Sequence, residues 1–179
     1  MITRCIHALR RFRQADNGSV FLIEFVIIVP AIFAVFMMSV DISMASLRQV
    51  HLDRGLEQTV RYIRLNTRAQ ITHDSIKDMV CDNIGNIGDC DGTLRLEMVK
   101  LNPRAFSQMN PNIDCVDKSL PIEPERGFTL GAQHDLMMLR ACLKFDPLTT
   151  FVPLGFNFIK DGNGQASVYA ISAFVQEPS

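Results

Sequence analysis

A run of 21 residues, Val20 to Val40, constrains this chain more than any other stretch. It is apolar except for Glu24, Pro30 and Ser39. As an α-helix it extends about 31 Å, enough to cross a hydrocarbon core about 30 Å thick. It therefore reads as a transmembrane segment. Of the 179 residues, 139 follow Val40, which is enough for one small domain and too few for two comfortable ones.

The charges flank the run unevenly. Arg4, Arg10, Arg11 and Arg13 precede it, opposed only by Asp16, and the next basic residue after it is Arg48. Basic residues gather on the cytoplasmic side of single spans, so the N-terminus is expected in the cytoplasm and the bulk of the chain outside. The formal net charge of −1 gives no basic surface of the kind nucleic acid requires.

The cysteines fit that orientation. Cys5 lies in the leader, and the other four, Cys81, Cys90, Cys115 and Cys142, lie beyond the span. An even count in a small exported domain reads as two disulfides, for which three connectivities exist. Cys81–Cys90 with Cys115–Cys142 is the pairing in which each bond closes a local loop. Free buried thiols are the alternative. A zinc site is disfavoured, because there is no C-x-x-C pair and no suitably placed histidine.

In chain order, residues 1–18 form a basic leader and 19–40 the membrane segment, with a helix kink expected at Pro30. The helical pattern continues over 41–68 with Gly55 as its one strong breaker. Met44, Leu47, Leu52, Leu56, Val60 and Ile63 recur at mostly helical steps, giving an amphipathic extension of the span. Residues 69–179 form an extracytoplasmic α+β domain. A short helix is expected from about His73 to Ile84, capped by Thr72, with Ile76, Met79, Val80 and Ile84 as its stripe. Gly85, Gly88 and Asp91-Gly92 then mark a turn region around Cys90.

Strands are expected at Thr93–Leu101, Leu136–Phe145 and Ala166–Gln176, and a further one at Phe151–Ile159. In the second, Met137, Leu139, Ala141, Leu143 and Phe145 form an apolar face that belongs in the core. Lys160 to Gly164 reads as a turn before the third. Residues 102–133 carry four prolines and read as a long irregular connection that Cys115 can pin. The fold class is α+β: one long helix, a short helix, then a small antiparallel sheet.

Glu24 is the sharpest single residue. A carboxylate inside a span costs several kcal/mol unless it is paired or reaches the interface. A free α-amino group made by cutting at Gly18 or Ser19 would supply a cation. The stretch Arg11-Phe12-Arg13, Asp16-Asn17-Gly18-Ser19-Val20-Phe21-Leu22-Ile23-Glu24-Phe25, then an apolar run to Pro30, resembles the start of TadE-like and TadF-like proteins. These are minor pseudopilins of the bacterial tight-adherence pilus, also called the Flp or type IVc pilus. The later helix with its Arg61-Tyr62 pair resembles the same family, so the detailed likeness covers residues 10–64.

The resemblance implies a pilin-like fold and a single pass of the bacterial inner membrane, with the domain in the periplasm. It implies a prepilin peptidase as partner, with Gly18 and Ser19 at the processing site. Glu24 would be the assembly carboxylate that meets the amine of a neighbouring subunit. Other pilins, pseudopilins and pilus assembly platform proteins would be further partners, in pilus biogenesis and surface attachment. In the family pattern the glutamate lies five residues after the glycine. Here it lies six after Gly18 and five after Ser19, so cleavage after either residue, or none, remains open.

Nothing in the sequence points to an enzyme, a cofactor or a metal. The four histidines are scattered, and no nucleophile elbow or phosphate loop is present. Asp161-Gly162-Asn163-Gly164 opens like a calcium loop but lacks the acidic residue at the twelfth position, where Ser172 stands. Two other readings remain: an exported soluble domain cut after Ser43-Met44-Ala45, and a bitopic ligand-binding or sensor protein.

Overall fold

The computed structural model describes residues 17–66, 71–85, 89–104, 113–116, 127–148 and 158–178, with side chains from Leu22 onward. The basic leader up to Asp16, with Cys5, lies outside the described residues. So do most of the 102–133 connection and residues 151–157 of the candidate fourth strand.

Helix α1 runs unbroken from Asn17 to Leu65. Its first half is apolar all round and the domain buries none of it; by length and composition it can cross a membrane. From Asp41 onward one face is covered. The buried residues are Asp41, Ala45, Leu52, Leu56, Thr59, Val60 and Ile63. Met44 and Leu47 were expected in that stripe but are 47% and 52% exposed. They lie about 100° and 160° round the helix from the centre of the buried face, so the domain covers Asp41 and Ala45 instead. The helix ends at Leu65, and both the backbone N–H and the side-chain amide of Asn66 donate to the Tyr62 carbonyl, each at 3.0 Å.

Helix α2, His73–Ile84, starts at a capping box in which Thr72 and Ser75 exchange side-chain and backbone bonds. Ile76, Val80 and Ile84 face inward and are buried, while Met79 is only half-buried. Gly85 ends the helix at φ 79°, a backbone setting that suits glycine. The turn expected around Cys90 contains a single helical turn, α3, Cys90–Thr93, with the Asp89 carboxylate accepting from Gly92 N–H at 3.0 Å.

Strands β1 (Leu94–Lys100), β2 (Leu136–Phe145) and β3 (Ala166–Val175) form an antiparallel sheet in that order. Leu96 lies opposite Ala141, and Ala141 opposite Ala170. Beside β1, Phe128 makes one parallel bridge to Met98, so the outer edge of β1 is partly occupied. The lower half of α1 and α2 pack on one face of the sheet. There Leu52, Leu56, Ile76, Val80, Leu96, Met137 and Leu139 are almost wholly removed from water.

The inward face of β2 is the expected one. Its other face is buried as well: Met138, Arg140 and Cys142 are at most 6% exposed. Arg140 is paired there with Glu97, and Cys142 is bonded to Cys115. A central strand with charge on its second face is thus closed off by an ion pair and a disulfide-tied segment. On β3 the alternation is simple, with Val168, Ala170 and Phe174 inward and Tyr169, Ile171 and Val175 out.

Candidate functional site

The long helix carries every residue that the sequence singles out for processing and assembly. Gly18 and Ser19 lie in its first turn, Glu24 about one and a half turns further, and Pro30 within its body. The helix continues on both sides of Pro30, whose missing N–H leaves the carbonyl four residues earlier without its helical donor. Glu24 is exposed and has no ion-pair partner among the described residues. Cleavage after Gly18 or Ser19 would leave the new amine on residue 19 or 20, about 7.5 Å or about 6 Å before Glu24 along an intact helix. Side chains four apart share a helix face and lean toward the N-terminus, so an amine on residue 20 lies within side-chain reach of Glu24, and one on residue 19 lies one position round the helix from it.

The second part of the site is the junction of the apolar run and the domain. Asp41 is the first charged residue after the apolar run and is 5% exposed. Its carboxylate accepts from the Leu148 backbone N–H at 3.0 Å. Two turns on, the Arg48 guanidinium lies over the Phe145 ring, 4.6 Å from its centroid. Gln49 donates to the Tyr169 carbonyl at 2.6 Å. Ala45, Phe145 and Ala166 form a small buried cluster beside these contacts, with Phe158 against it. The domain thus grips α1 from its first residue beyond the apolar run. Helical spacing of apolar residues does not pick out Asp41, although Asp41 ends the apolar run and so marks the boundary.

The cysteines are bonded Cys81–Cys90 and Cys115–Cys142, the two local loops, with Cα separations of 5.8 and 5.3 Å. The first ties α2 to α3. The second ties residues 113–116 to the outer face of β2, where Arg95 also meets Asp114 at 3.2 Å.

The Asp161 turn is held by its own carboxylate. Oδ1 accepts from the N–H groups of Asn163 and Gln165 at 2.9 Å each, and Oδ2 accepts from Lys144 Nζ at 2.6 Å. The Lys144 ammonium, with those amides, holds the Asp161 carboxyl below its ordinary range. Both carboxylate oxygens are thus held by internal donors, and residues 162–164 form the turn before β3. Lys100 does the same for Asp135, helped by the Ala132 amide. Between α1 and β3 lies an open cleft of about 350 Å³ bordered by Glu57, Arg61, Arg64, Ser172 and Glu177. Arg64 and Glu177 close on each other across it at 2.8 Å.

No protein-family model, curated protein or solved structure matches the chain.

Proposed function

We propose that the chain is a membrane-anchored minor pseudopilin of a tight-adherence pilus, and that it works by assembly rather than catalysis. The observation that carries this reading is the layout of α1. A basic leader, Gly18-Ser19, Glu24, an apolar run and Pro30 precede a helix that continues without a break into a disulfide-bonded domain. The apolar half is uncovered by the domain, as a helix that packs among lipids or other helices must be. With four arginines before the span, the domain lies outside the inner membrane.

Cleavage by a prepilin peptidase frees an amine at Ser19 or Val20. That amine meets Glu24 of a neighbouring subunit, and the pair sets the axial register of the helices. Removal of an ordinary signal peptide after Ala45 would also remove Asp41, whose carboxylate holds Leu148. This favours retention of the whole helix.

The test is N-terminal sequencing and intact mass of the protein from cells with and without the peptidase. A new terminus at Ser19 or Val20 that depends on the peptidase supports the reading. A retained leader in cells that carry the enzyme, or a terminus near Ser46, refutes it.

A further inference from the structure

We propose that the free edge of β3, over residues 171–175, takes an extended segment of another protein as an added strand, with the inward side chains of that segment on Glu57 and Arg61 of α1. β3 borders the sheet, and β2 pairs with it on one side. The Gln176 N–H donates to the Asp135 carbonyl at 3.0 Å, so even-numbered residues of β3 turn their main chain to β2 and odd-numbered ones turn theirs outward. The Tyr169 carbonyl faces that way and takes the Gln49 side chain. Among the described residues, nothing bonds the outward N–H and C=O groups of Ile171, Ala173 and Val175.

Sheet edges are normally guarded by charge, proline, a bulge or a cover. β1 follows that rule: it carries Arg95, Glu97 and Lys100, and the Phe128 bridge occupies its edge at Met98. β3 does not. It contains no charged residue, proline or glycine, and Ile171 and Val175 are 57% and 49% exposed. Beside residues 171–175 lies the open cleft of about 350 Å³ between β3 and α1. A strand laid along the edge covers that cleft and sends alternate side chains into it. Glu57 and Arg61 are exposed there, with no ion-pair partner among the described residues. They stand about 6 Å apart along the helix, close to the spacing of about 6.7 Å between alternate residues of a strand. The fitting segment therefore has an acidic and a basic residue two positions apart on its inward side. Its other side is apolar, level with Ile171 and Val175.

The occupant is neither lipid nor a second copy. Arg61 lies about 30 Å beyond Asp41 along α1, clear of a headgroup layer. α1 and β3 run in the same direction, with Gln49 on Tyr169 and, further along both, Arg64 on Glu177. Two identical edges join symmetrically only as antiparallel strands, about a two-fold axis normal to the sheet. That axis sets the two α1 helices head to tail, whereas chains anchored in one membrane by residues 20–40 point the same way. The opposite edge of a neighbouring copy, on β1, is already taken at Met98. Only these two exclusions use the reading of residues 20–40 as a membrane span.

The test is hydrogen exchange on the full chain in detergent micelles, with short synthetic probe peptides. Each probe alternates valine with threonine, and one glutamate and one lysine replace successive threonines. Antiparallel addition, the more stable pairing, brings glutamate to Arg61 and then lysine to Glu57. The Ile171, Ala173 and Val175 amides should exchange fast in the protein alone. They should slow about tenfold at about 1 mM of the glutamate-first probe, for a Kd of about 0.1 mM. Slowing by the lysine-first probe instead supports the site with a parallel strand. Arg61→Glu should abolish the slowing, and a probe with lysine in place of its glutamate should restore it. Ala173→Pro removes only an outward N–H, so the sheet keeps its bonds and the circular dichroism of the parent while the probe is blocked.

Amides already slow in the monomeric protein refute the proposal, because the chain then closes its own edge. Slowing that grows with protein concentration, together with a dimer by mass, refutes it and makes a second copy the occupant. Fast amides that neither probe slows also refute it. None of these readouts depends on leader cleavage, so the edge and the pseudopilin reading fail separately.

Discussion

Gly55→Ala tests whether α1 and α2 cross where the structure puts them. A Cβ at residue 55 would lie 2.7 Å from Ile84 Cγ1 and 3.3 Å from both the Ile84 amide nitrogen and the Val80 carbonyl oxygen. Two of these atoms are backbone. The third sits near the root of a side chain that is 2% exposed, so it cannot swing into solvent. Forcing a methyl into such a site costs about 1–3 kcal/mol. The same change favours the helix by up to about 1 kcal/mol, because alanine loses less backbone freedom than glycine. The net expectation is a loss of about 0–2 kcal/mol. At an open helical position the same substitution would stabilise by about 1 kcal/mol. The sign therefore separates a packed crossing from a free helix surface.

The assay is denaturant unfolding of the full chain in detergent micelles, followed by far-UV circular dichroism and compared at constant slope. A double-mutant cycle with Ile84→Ala isolates the contact. Ile84→Ala alone is expected to cost about 2–5 kcal/mol, since it empties a buried site. In that background the 2.7 Å contact no longer exists, so Gly55→Ala should cost measurably less than in the parent. If Gly55→Ala stabilises by about 1 kcal/mol and adds simply to Ile84→Ala, the crossing is wrong and Gly55 is only a weak point in a long helix.

Three further outcomes are expected. Opening Cys115–Cys142, with a sequence separation of 27, should cost about 3.6 kcal/mol on chain entropy, against about 2.6 for Cys81–Cys90 with a separation of 9, as read from thermal unfolding of the double-alanine variants. Asp41→Leu removes the acceptor for the Leu148 N–H and should cost about 1.5–3 kcal/mol. Hydrogen exchange at Leu148 should then accelerate, and Asp41→Asn, which keeps an acceptor oxygen, should restore part of the protection. The third concerns acid. Asp161 and Asp135 have carboxyls held below their ordinary value in the folded state by Lys144 and Lys100. Their contribution is present above the unfolded carboxylate value, near about pH 4, and is lost as the pH falls through the lower folded value. The unfolding midpoint should therefore drop on the acid side, and Asp161→Asn should make that drop shallower; an unchanged slope would refute the role of Lys144.

The parts of this fold that were legible in the sequence are those written in one dimension. The span is a composition, the Thr72 cap is a residue type before an apolar period, and the three strands alternate or run apolar over their length. The local disulfides follow from loop length. What remained hidden depends on two elements meeting. Gly55 reads as a helix breaker until Val80 and Ile84 are seen against it, when it becomes the place where two backbones approach. Met44 and Leu47 fit a helical stripe on spacing alone. Only the position of the domain shows that the stripe is rotated toward Asp41 and Ala45, a carboxylate and a small residue that hydropathy does not mark. Arg140 on a buried strand looks like a solvent-facing residue until Glu97 across the ladder accounts for it.

The junction at Asp41 links the two halves of the site. No glycine or proline occurs between Pro30 and Gly55, so nothing in that stretch invites a hinge. Over the first turns after the span, Asp41, Arg48 and Gln49 each hold a different part of the domain: the Leu148 amide, the Phe145 ring and the Tyr169 carbonyl. The domain therefore turns with the helix. In the proposed assembly, a shift of one residue in the amine–carboxylate register moves the helix by about 1.5 Å and rotates it by about 100°. The domain must follow that rotation. Under that proposal, cleavage after Gly18 or after Ser19 would decide more than the length of the mature chain: it would set which face of the domain meets the neighbouring subunit.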